Sequence, residues 1–543
     1  MMPHLRGTNL SNNLEADVVI IGAGSAGAVV AARLSEDPGI HVVLLEAGTQ
    51  DSSWLNDTPA MTLKLIGNPK TDWDYRTEPD PTANSRVSVW AGGKMLGGGS
   101  SINGLVYIRG LQRDYDDWAH LGCTGWGWND VEPFFRKAEG YTDDGHEAMG
   151  RNGPYAVSRI RSVHPLTNKF VEACAQIGLP TLDNYNAGIG EGAYVNLTSQ
   201  RLGRRSSTAS TYLKLASGRK NLRVVKGALV DKVLFNNQRA CGVRARIGND
   251  WVTIGARREV VISAGTIQSP AILLRSGIGS GEQLQAQGIA MQVNARDVGR
   301  NLQEHVGVGK LKFVNQPTYN SEMDPLNGMR HLLNYLVNRR GPLASAAVQG
   351  MAWLRTDDSL SEPDVHLNFF PLGIDYSMSP PTMFKQPTIT LSGCISRPHS
   401  RGEIRLRSTN PDDKPVIDFQ MYQDSRDVTT AVGLLKKVDQ IFAAPALAKT
   451  VIGSVPPFDH DMAAEELETM VRACSGPGYH CIGTCRLGTD EHSVVDTELR
   501  VRGVHGLRVV DASVMPMLVS ANTNSAAIMV GERGAEFIKP SLR

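Results

Sequence analysis

The chain has 543 residues, 41% of them hydrophobic and 20% charged, an ordinary soluble composition on a length that calls for two domains rather than one simple core. Its 56 Lys and Arg balance 55 Asp and Glu, so the basic excess that a nucleic-acid partner demands is missing and no charge block forms a tail. Seven cysteines, an odd number without a C-x-x-C pair, exclude a zinc site of the usual spacing and predict buried thiols in a reducing compartment.

The stretch up to Asp17 is polar, and the apolar run from Val18 to Leu34 is broken by glycines. Neither a secretory leader nor a membrane span is expected, and the cytoplasm is the expected location. Val18 to Ile21 reads as a buried parallel strand. Gly22-Ala-Gly24-Ser25-Ala26-Gly27 follows, then an Ala- and Val-rich helix, then a second apolar run from His41 to Leu45 that ends on Glu46. Strand, glycine turn, helix, strand and acid make a complete βαβ unit for a dinucleotide. Gly22 permits the turn, Gly24 lets the backbone approach a pyrophosphate, and Gly27 lets the helix pack on the strand. The helix N-terminus offers N–H groups to the phosphates. Glu46 is placed to accept from a ribose 2′-hydroxyl and would repel a 2′-phosphate. The motif by itself leaves FAD and NAD both open.

Gly97-Gly98-Gly99 followed by Ser100-Ser101 makes no stable helix interior; it reads as a loop able to press against a flat ring, with Asn103 offering an amide. Farther on, Val260 to Ala264 reads as another core strand, and the stretch after Pro270 as a helix with proline in its first turn. Lys94, Leu96, Gly97, Gly98, Gly99, Ser100, Ile102, Asn103, Tyr107, Gly110 and Asp116 fill, at fixed gaps, the first signature of the glucose–methanol–choline (GMC) oxidoreductases. Gly265, Thr266, Ser269, Pro270, Ile272, Leu273, Ser276, Gly277 and Gly279 fill the second. Smaller runs agree: Arg205 to Leu213, Val298 to His305 (with Glu304 where Asp is commoner), and Arg508 to Pro516. The chain thus resembles the GMC family over roughly residues 15 to 540, most weakly across 310–470.

That resemblance implies an α/β, Rossmann-like FAD-binding domain at 14–160, 195–308 and 468–543. It also implies an α+β substrate domain with a mainly antiparallel sheet at 161–194 and 309–467. The alternating stretches 364–370 and 388–392 read as strands of that sheet. FAD is the implied cofactor, held by Gly22, Gly24, Ser25, Ala26, Gly27 and Glu46, by Gly97, Gly98, Ser101, Asn103 and Gly104, and by the backbone at Val230. Tyr479, Asp511, Ala512, Thr523 and Asn524 complete the implied cofactor set. Ile102 stands where some members carry a histidine that joins FAD covalently, so non-covalent attachment is expected. No metal is expected.

Alcohol oxidation removes a proton from oxygen and a hydride from carbon. Flavin N5 takes the hydride, and a neutral histidine is the natural base near neutral pH. His480 and Asn522 match the family's active-site pair. In this reading His480 accepts the hydroxyl proton while Asn522 donates to the same oxygen. Asn524 and the start of a helix running toward Ile538 face the flavin pyrimidine edge; plain helix capping is the simpler reading of both asparagines. His366 and Gln349 are candidates for the pocket lining, and no aromatic cage with a carboxylate stands out for a quaternary ammonium. The expected partners are a small-molecule alcohol, first of all a primary one, and oxygen or a quinone-type electron acceptor. A hydroxynitrile-lyase activity on the same fold and an NAD-dependent dehydrogenase on the same βαβ unit stay open as rivals.

Overall fold

A computed structural model describes residues 14–50, 53–187, 190–322, 324–375, 382–460 and 462–542. The polar stretch ahead of Leu14, read above for a leader, lies outside them. The first apolar run becomes the strand Leu14–Ile21, in which Val18, Val19 and Ile20 are fully buried. Val42–Glu46 lies parallel on one side of it and Asp250–Ile262 parallel on the other. A strand covered on both faces has no solvent side to mark, which is why its sequence is continuously apolar.

The first seven-stranded sheet runs in the order Leu222–Lys226, Val42–Glu46, Leu14–Ile21, Asp250–Ile262, Arg239–Ile247, Ala228–Asn236. The long strand Asp250–Ile262 gives its first half to Arg239–Ile247, antiparallel, and its last residues to Leu507–Val509, parallel. Ile21, Leu45, Ile262 and Val509 therefore end level with one another at the carboxyl edge, where sheets of this class bind ligands. The helices Gly27–Leu34 and Asn524–Ile538 cross there at close range. A Cβ on Gly531 would lie 2.9 Å from the Ala26 carbonyl oxygen and 3.0 Å from Val29 Cβ.

The second seven-stranded sheet is antiparallel: Val451–Ser454, Val306–Val314, Thr388–Ile395, Val365–Phe370, Gly350–Leu354, Gly192–Val195, with Gly476–Pro477 beside Val306. The strands expected near 364–370 and 388–392 are its central pair. Helix Ser425–Ala443 covers one face through Val428, Ala431, Leu434, Leu435, Val438, Ile441 and Phe442, at helical spacing. Asp424 caps that helix, accepting from the Arg426 N–H at 3.0 Å.

Two expectations need correction. The helix around Pro270 spans Gly265–Arg275, so the proline sits inside it rather than in its first turn. Proline has no N–H for the Thr266 carbonyl; the Thr484 hydroxyl donates to that carbonyl instead, at 2.6 Å. The cysteines are all free, but Cys241 and Cys474 are exposed. Cys241 lies on the outward side of its strand, between the buried Ala240 and Gly242.

Candidate active site

The site begins at the carboxyl edge of the first sheet. Gly22 has φ +94°, and a Cβ there would lie 2.4 Å from the Ser263 carbonyl oxygen. A Cβ on Gly27 would lie 2.0 Å from the Gly22 carbonyl oxygen. Only glycine fits at either position. Ser25 and Ala26 lead into helix Gly27–Leu34, whose first turn presents N–H groups. Glu46 is buried; it accepts from the Ala23 N–H at 3.0 Å and the Gly48 N–H at 2.8 Å. Burial raises its pKa to about 7, against the pull of those amides.

The second glycine loop lies directly on the first. The Gly97 N–H donates to the Ala23 carbonyl at 2.7 Å, and a Cβ on Gly98 would meet Gly24 Cα at 2.7 Å. Gly99 and Gly104 have nothing within 4 Å of a built Cβ, and Gly24 has only a contact at 3.9 Å. These three leave main chain uncovered, which suits close approach of a dinucleotide to this cradle of two loops. Ser101 turns its hydroxyl to the Leu96 carbonyl at 2.7 Å, within the loop. Asn103 is held from behind: Arg205 donates to both its Oδ1 and its carbonyl oxygen at 2.7 Å. An amide whose oxygen is so engaged turns its NH₂ outward. Arg205 is buried with neutral partners, and desolvation lowers its pKa to about 10. Val230 is buried in strand Ala228–Asn236, opposite Ala245.

The C-terminal segment closes the cradle. Asn524 takes the Ser25 hydroxyl on Oδ1 at 2.7 Å and gives Nδ2 to the Tyr155 hydroxyl at 3.0 Å. Thr523 makes no side-chain cap bond, so neither it nor either asparagine caps helix Asn524–Ile538. The first-turn N–H groups of that helix keep their hydrogen-bonding capacity and its positive dipole end. Asp511 is engaged on both oxygens: Oδ2 accepts from the Gly265 N–H (2.9 Å) and Ser269 (2.6 Å), Oδ1 from the Ser513 N–H (2.8 Å) and hydroxyl (2.5 Å). Its carboxylate clamps protein to protein.

The chemistry-bearing residues meet where the two sheets approach. The segment Gly476 to Ile482 clasps the chain before strand Val306–Val314: Gly478 N–H donates to the His305 carbonyl at 2.7 Å, and Gln303 and Ile482 exchange backbone bonds at 3.1 and 3.0 Å. Between these anchors Tyr479 holds a left-handed φ of 63°, uncommon for a bulky residue, with its side chain half exposed. The turn delivers His480, whose N–H donates to Glu304 Oε1 at 2.7 Å. Asn522 arrives from a loop pinned by Asp114, which accepts from the Ser520 N–H at 2.9 Å and its hydroxyl at 2.7 Å. Asn522 Nδ2 lies 2.7 Å from His480 Nε2.

Proton counting orders this cluster. The Ser396 carbonyl is an acceptor only, 3.0 Å from His305 Nε2, so that nitrogen carries the hydrogen. Burial lowers the His305 pKa to about 4, so the ring is neutral and its Nδ1 is an acceptor. His480 Nδ1 lies 2.9 Å from it and must donate. The His480 pKa is also held well below the ordinary value, by burial first and then by His305 and His366. His480 is therefore neutral, protonated on Nδ1, with an unprotonated Nε2 that accepts from the Asn522 amide. Glu304 does not reverse this: burial raises its pKa to about 8, so its carboxyl is mainly neutral at pH 7.

His366 packs edge-on against His305, ring centroids 5.1 Å apart, and stacks on Trp353; neither ring nitrogen has a hydrogen-bond partner among the described residues. Gln349 is engaged elsewhere, with His164, Thr167 and Tyr319. His305 and Arg205 lay inside runs singled out by sequence, but nothing in the sequence gave either a role. Their only signal was a histidine and an arginine within fixed-gap runs.

Comparison with known proteins shows the family and the fold. The GMC oxidoreductase profiles match residues 16–307 and 398–531. An uncharacterized GMC-type oxidoreductase of Mycobacterium bovis is 38% identical over 537 residues, 97% of this chain and 99% of the relative. An oxygen-dependent choline dehydrogenase of Brucella anthropi is 36% identical over 528 residues, 97% and 96% of the two chains. The crystal structure of pyridoxine 4-oxidase from Mesorbium loti superposes with a TM-score of 0.87 at 30% identity, covering 96% of this chain and 98% of that one. With its two sheets, its paired glycine loops and its His480–Asn522 contact, the chain belongs to the GMC oxidoreductase family.

Proposed function

We propose that this protein oxidises an alcohol, a primary one in the first instance, to the aldehyde with non-covalently bound FAD, using His480 as general base. The carrying observation is the unprotonated His480 Nε2, which accepts from the Asn522 amide at 2.7 Å; an alcohol oxygen entering between them would meet both the base and the donor. A neutral imidazole can take the hydroxyl proton there, and the Asn522 N–H can hold the same oxygen as negative charge develops. Relatives named for choline and pyridoxine, both alcohols, support the substrate class.

The residues fit FAD. The helix start at Gly27 would take the pyrophosphate, Glu46 the ribose, the Gly97 to Gly104 loop one face of the ring, and the uncapped helix start at Asn524 the pyrimidine edge. When bound, FAD supplies the hydride acceptor. Ile102 is buried in an apolar cluster with Leu65 and Met95, which supports attachment without a covalent bond. We assign residues 14–160, 195–308 and 468–543 to the cofactor side and 161–194 and 309–467 to the substrate side. The electron acceptor is oxygen or a quinone-type compound.

Anaerobic mixing of the yellow holoenzyme with primary alcohols tests the reading. Bleaching of the flavin band is expected; an unchanged spectrum alongside release of aldehyde from a hydroxynitrile would assign a lyase instead. A colourless protein that takes up no FAD would overturn both.

A further inference from the structure

Helix Pro325–Asn338 is built inside out. Its one fully buried residue is Tyr335, and Asn327, His331 and Asn334 share that inner side. Leu326, Met329, Leu332, Leu333, Leu336 and Val337 face outward, exposed by 81, 62, 42, 56, 56 and 78%. At about 100° per residue these six fall within roughly 140° of the circumference, one apolar stripe about 20 Å long. A helix of a soluble domain turns such a stripe toward the core. Single exposed leucines are ordinary, but six in one stripe mark a contact surface.

The rim of the stripe is basic. Arg330 lies on the helix and Arg340 just past its end, both exposed. The hairpin of Gln200–Arg201 and Arg204–Arg205 abuts the helix end: a Cβ on Gly203 would lie 2.6 Å from the Arg339 carbonyl oxygen. That hairpin adds Leu202, 64% exposed, and the exposed Arg201 and Arg204. Among the described residues none of these four arginines has a carboxylate within 4.0 Å. The nearby acids are engaged. Glu322 lies 2.9 Å from His331, and Asp324 caps the helix by accepting from the Leu326 and Asn327 N–H groups at 3.1 Å. The chain as a whole carries a net charge of only +1, so this face departs from its surroundings.

We propose that this face docks on the surface of an anionic lipid bilayer, the leucines entering the acyl boundary and the arginines meeting headgroup phosphates. An apolar stripe with a basic rim has the chemistry of an interfacial helix. A second copy of the chain suits it less. A two-fold contact would set this basic rim against a copy of itself. The attachment is peripheral, because no described helix is long and apolar enough to cross a membrane. Docking needs neither FAD nor His480.

Co-sedimentation of the holoenzyme with vesicles of phosphatidylglycerol and phosphatidylcholine, and of phosphatidylcholine alone, tests the assignment. Binding to the anionic vesicles, weakened by salt, is expected. Leu336→Glu with Val337→Glu, and separately Arg330→Glu with Arg340→Glu, each lower vesicle affinity at least about tenfold and leave turnover of a soluble alcohol unchanged. No binding to anionic vesicles, or equal binding to both kinds, overturns the proposal. So does a dimer in solution that the Leu336→Glu, Val337→Glu pair dissociates, since a second copy would then be the occupant.

Discussion

The glycine cradle and the histidine cluster are both assembled from segments far apart in the chain, yet different physics enforces them. In the cradle the constraint is exclusion. Gly22 and Gly27 have a carbonyl oxygen where a Cβ would go, at 2.4 and 2.0 Å, so any other residue collides with main chain. In the cluster the constraint is pairing. His305, Asn522 and Ser396 are each within 3.0 Å of a nitrogen or oxygen partner, and the protons can be distributed among them in one way only. Exclusion acts on one side chain against whatever main chain packs on it. Pairing is a property of a set, and it vanishes when one member is replaced.

The largest effect belongs to the pairing side. His480→Ala is expected to lower turnover about 10²- to 10⁴-fold, the usual contribution of a positioned acid–base group. FAD content should stay at the wild-type level, because the cradle does not depend on that side chain. Turnover within a few-fold of wild type would remove His480 from the mechanism and would place the function elsewhere than in this cluster.

On the exclusion side, Gly27→Ala puts a methyl into the Gly22 carbonyl. Destabilisation of about 3 kcal/mol, with loss of bound FAD, is expected. Gly104→Ala is the matched control, since nothing lies within 4 Å of its Cβ. It should fold normally and, if the ring lies against it, weaken only cofactor binding. Equal denaturant midpoints for the two variants would show that steric exclusion does not govern this loop.

The same division decides what sequence alone could reveal. Exclusion leaves a trace that any reader can find: a glycine where only glycine fits, spaced by the geometry of strand, turn and helix. Continuous and alternating apolar runs likewise gave strands Leu14–Ile21 and Val365–Phe370. Pairing leaves no such trace. The His305–His480 contact spans 175 positions and follows from the backbone clasp that ties Gly478 to the His305 carbonyl and Ile482 to Gln303. The Thr484 hydroxyl that rescues the Thr266 carbonyl is equally remote, so Pro270 read locally marks a helix start when it sits inside one. The helix at Pro325–Asn338 shows a third limit. Its period is helical, but period alone does not say which side faces inward.

His305 offers a finer test of pairing. His305→Leu removes the acceptor that holds the His480 proton on Nδ1. About a tenfold fall in turnover is expected, the worth of one neutral hydrogen bond. His305→Asn offers a carbonyl oxygen near the lost Nδ1 and should recover part of it, with the pH profile moving back toward wild type. A leucine variant as active as the asparagine one would mean that His305 only fills space.

Glu304 gives the most specific signal. Its carboxyl is raised from 4.5 to about 8 by burial, so the folded state holds a proton that the unfolded state releases earlier. The sign follows from linkage. Stability from this group is whole below about pH 4.5 and is lost as pH rises toward about 8, because the unfolded chain binds fewer protons across that window. Glu304→Gln keeps an oxygen for the His480 N–H and cannot ionise, so the variant should lose this part of the pH slope. The thermal midpoint of the wild-type holoenzyme, minus that of the variant, should therefore fall between about pH 5 and 8. Glu46, with its own raised pKa of about 7, titrates in both proteins and drops out of the difference. A flat difference would mean that Glu304 is already ionised in the folded state. A carboxylate would then stand beside His480 and pull its pKa upward, and the neutral, unprotonated Nε2 on which the base assignment depends would lose its electrostatic ground.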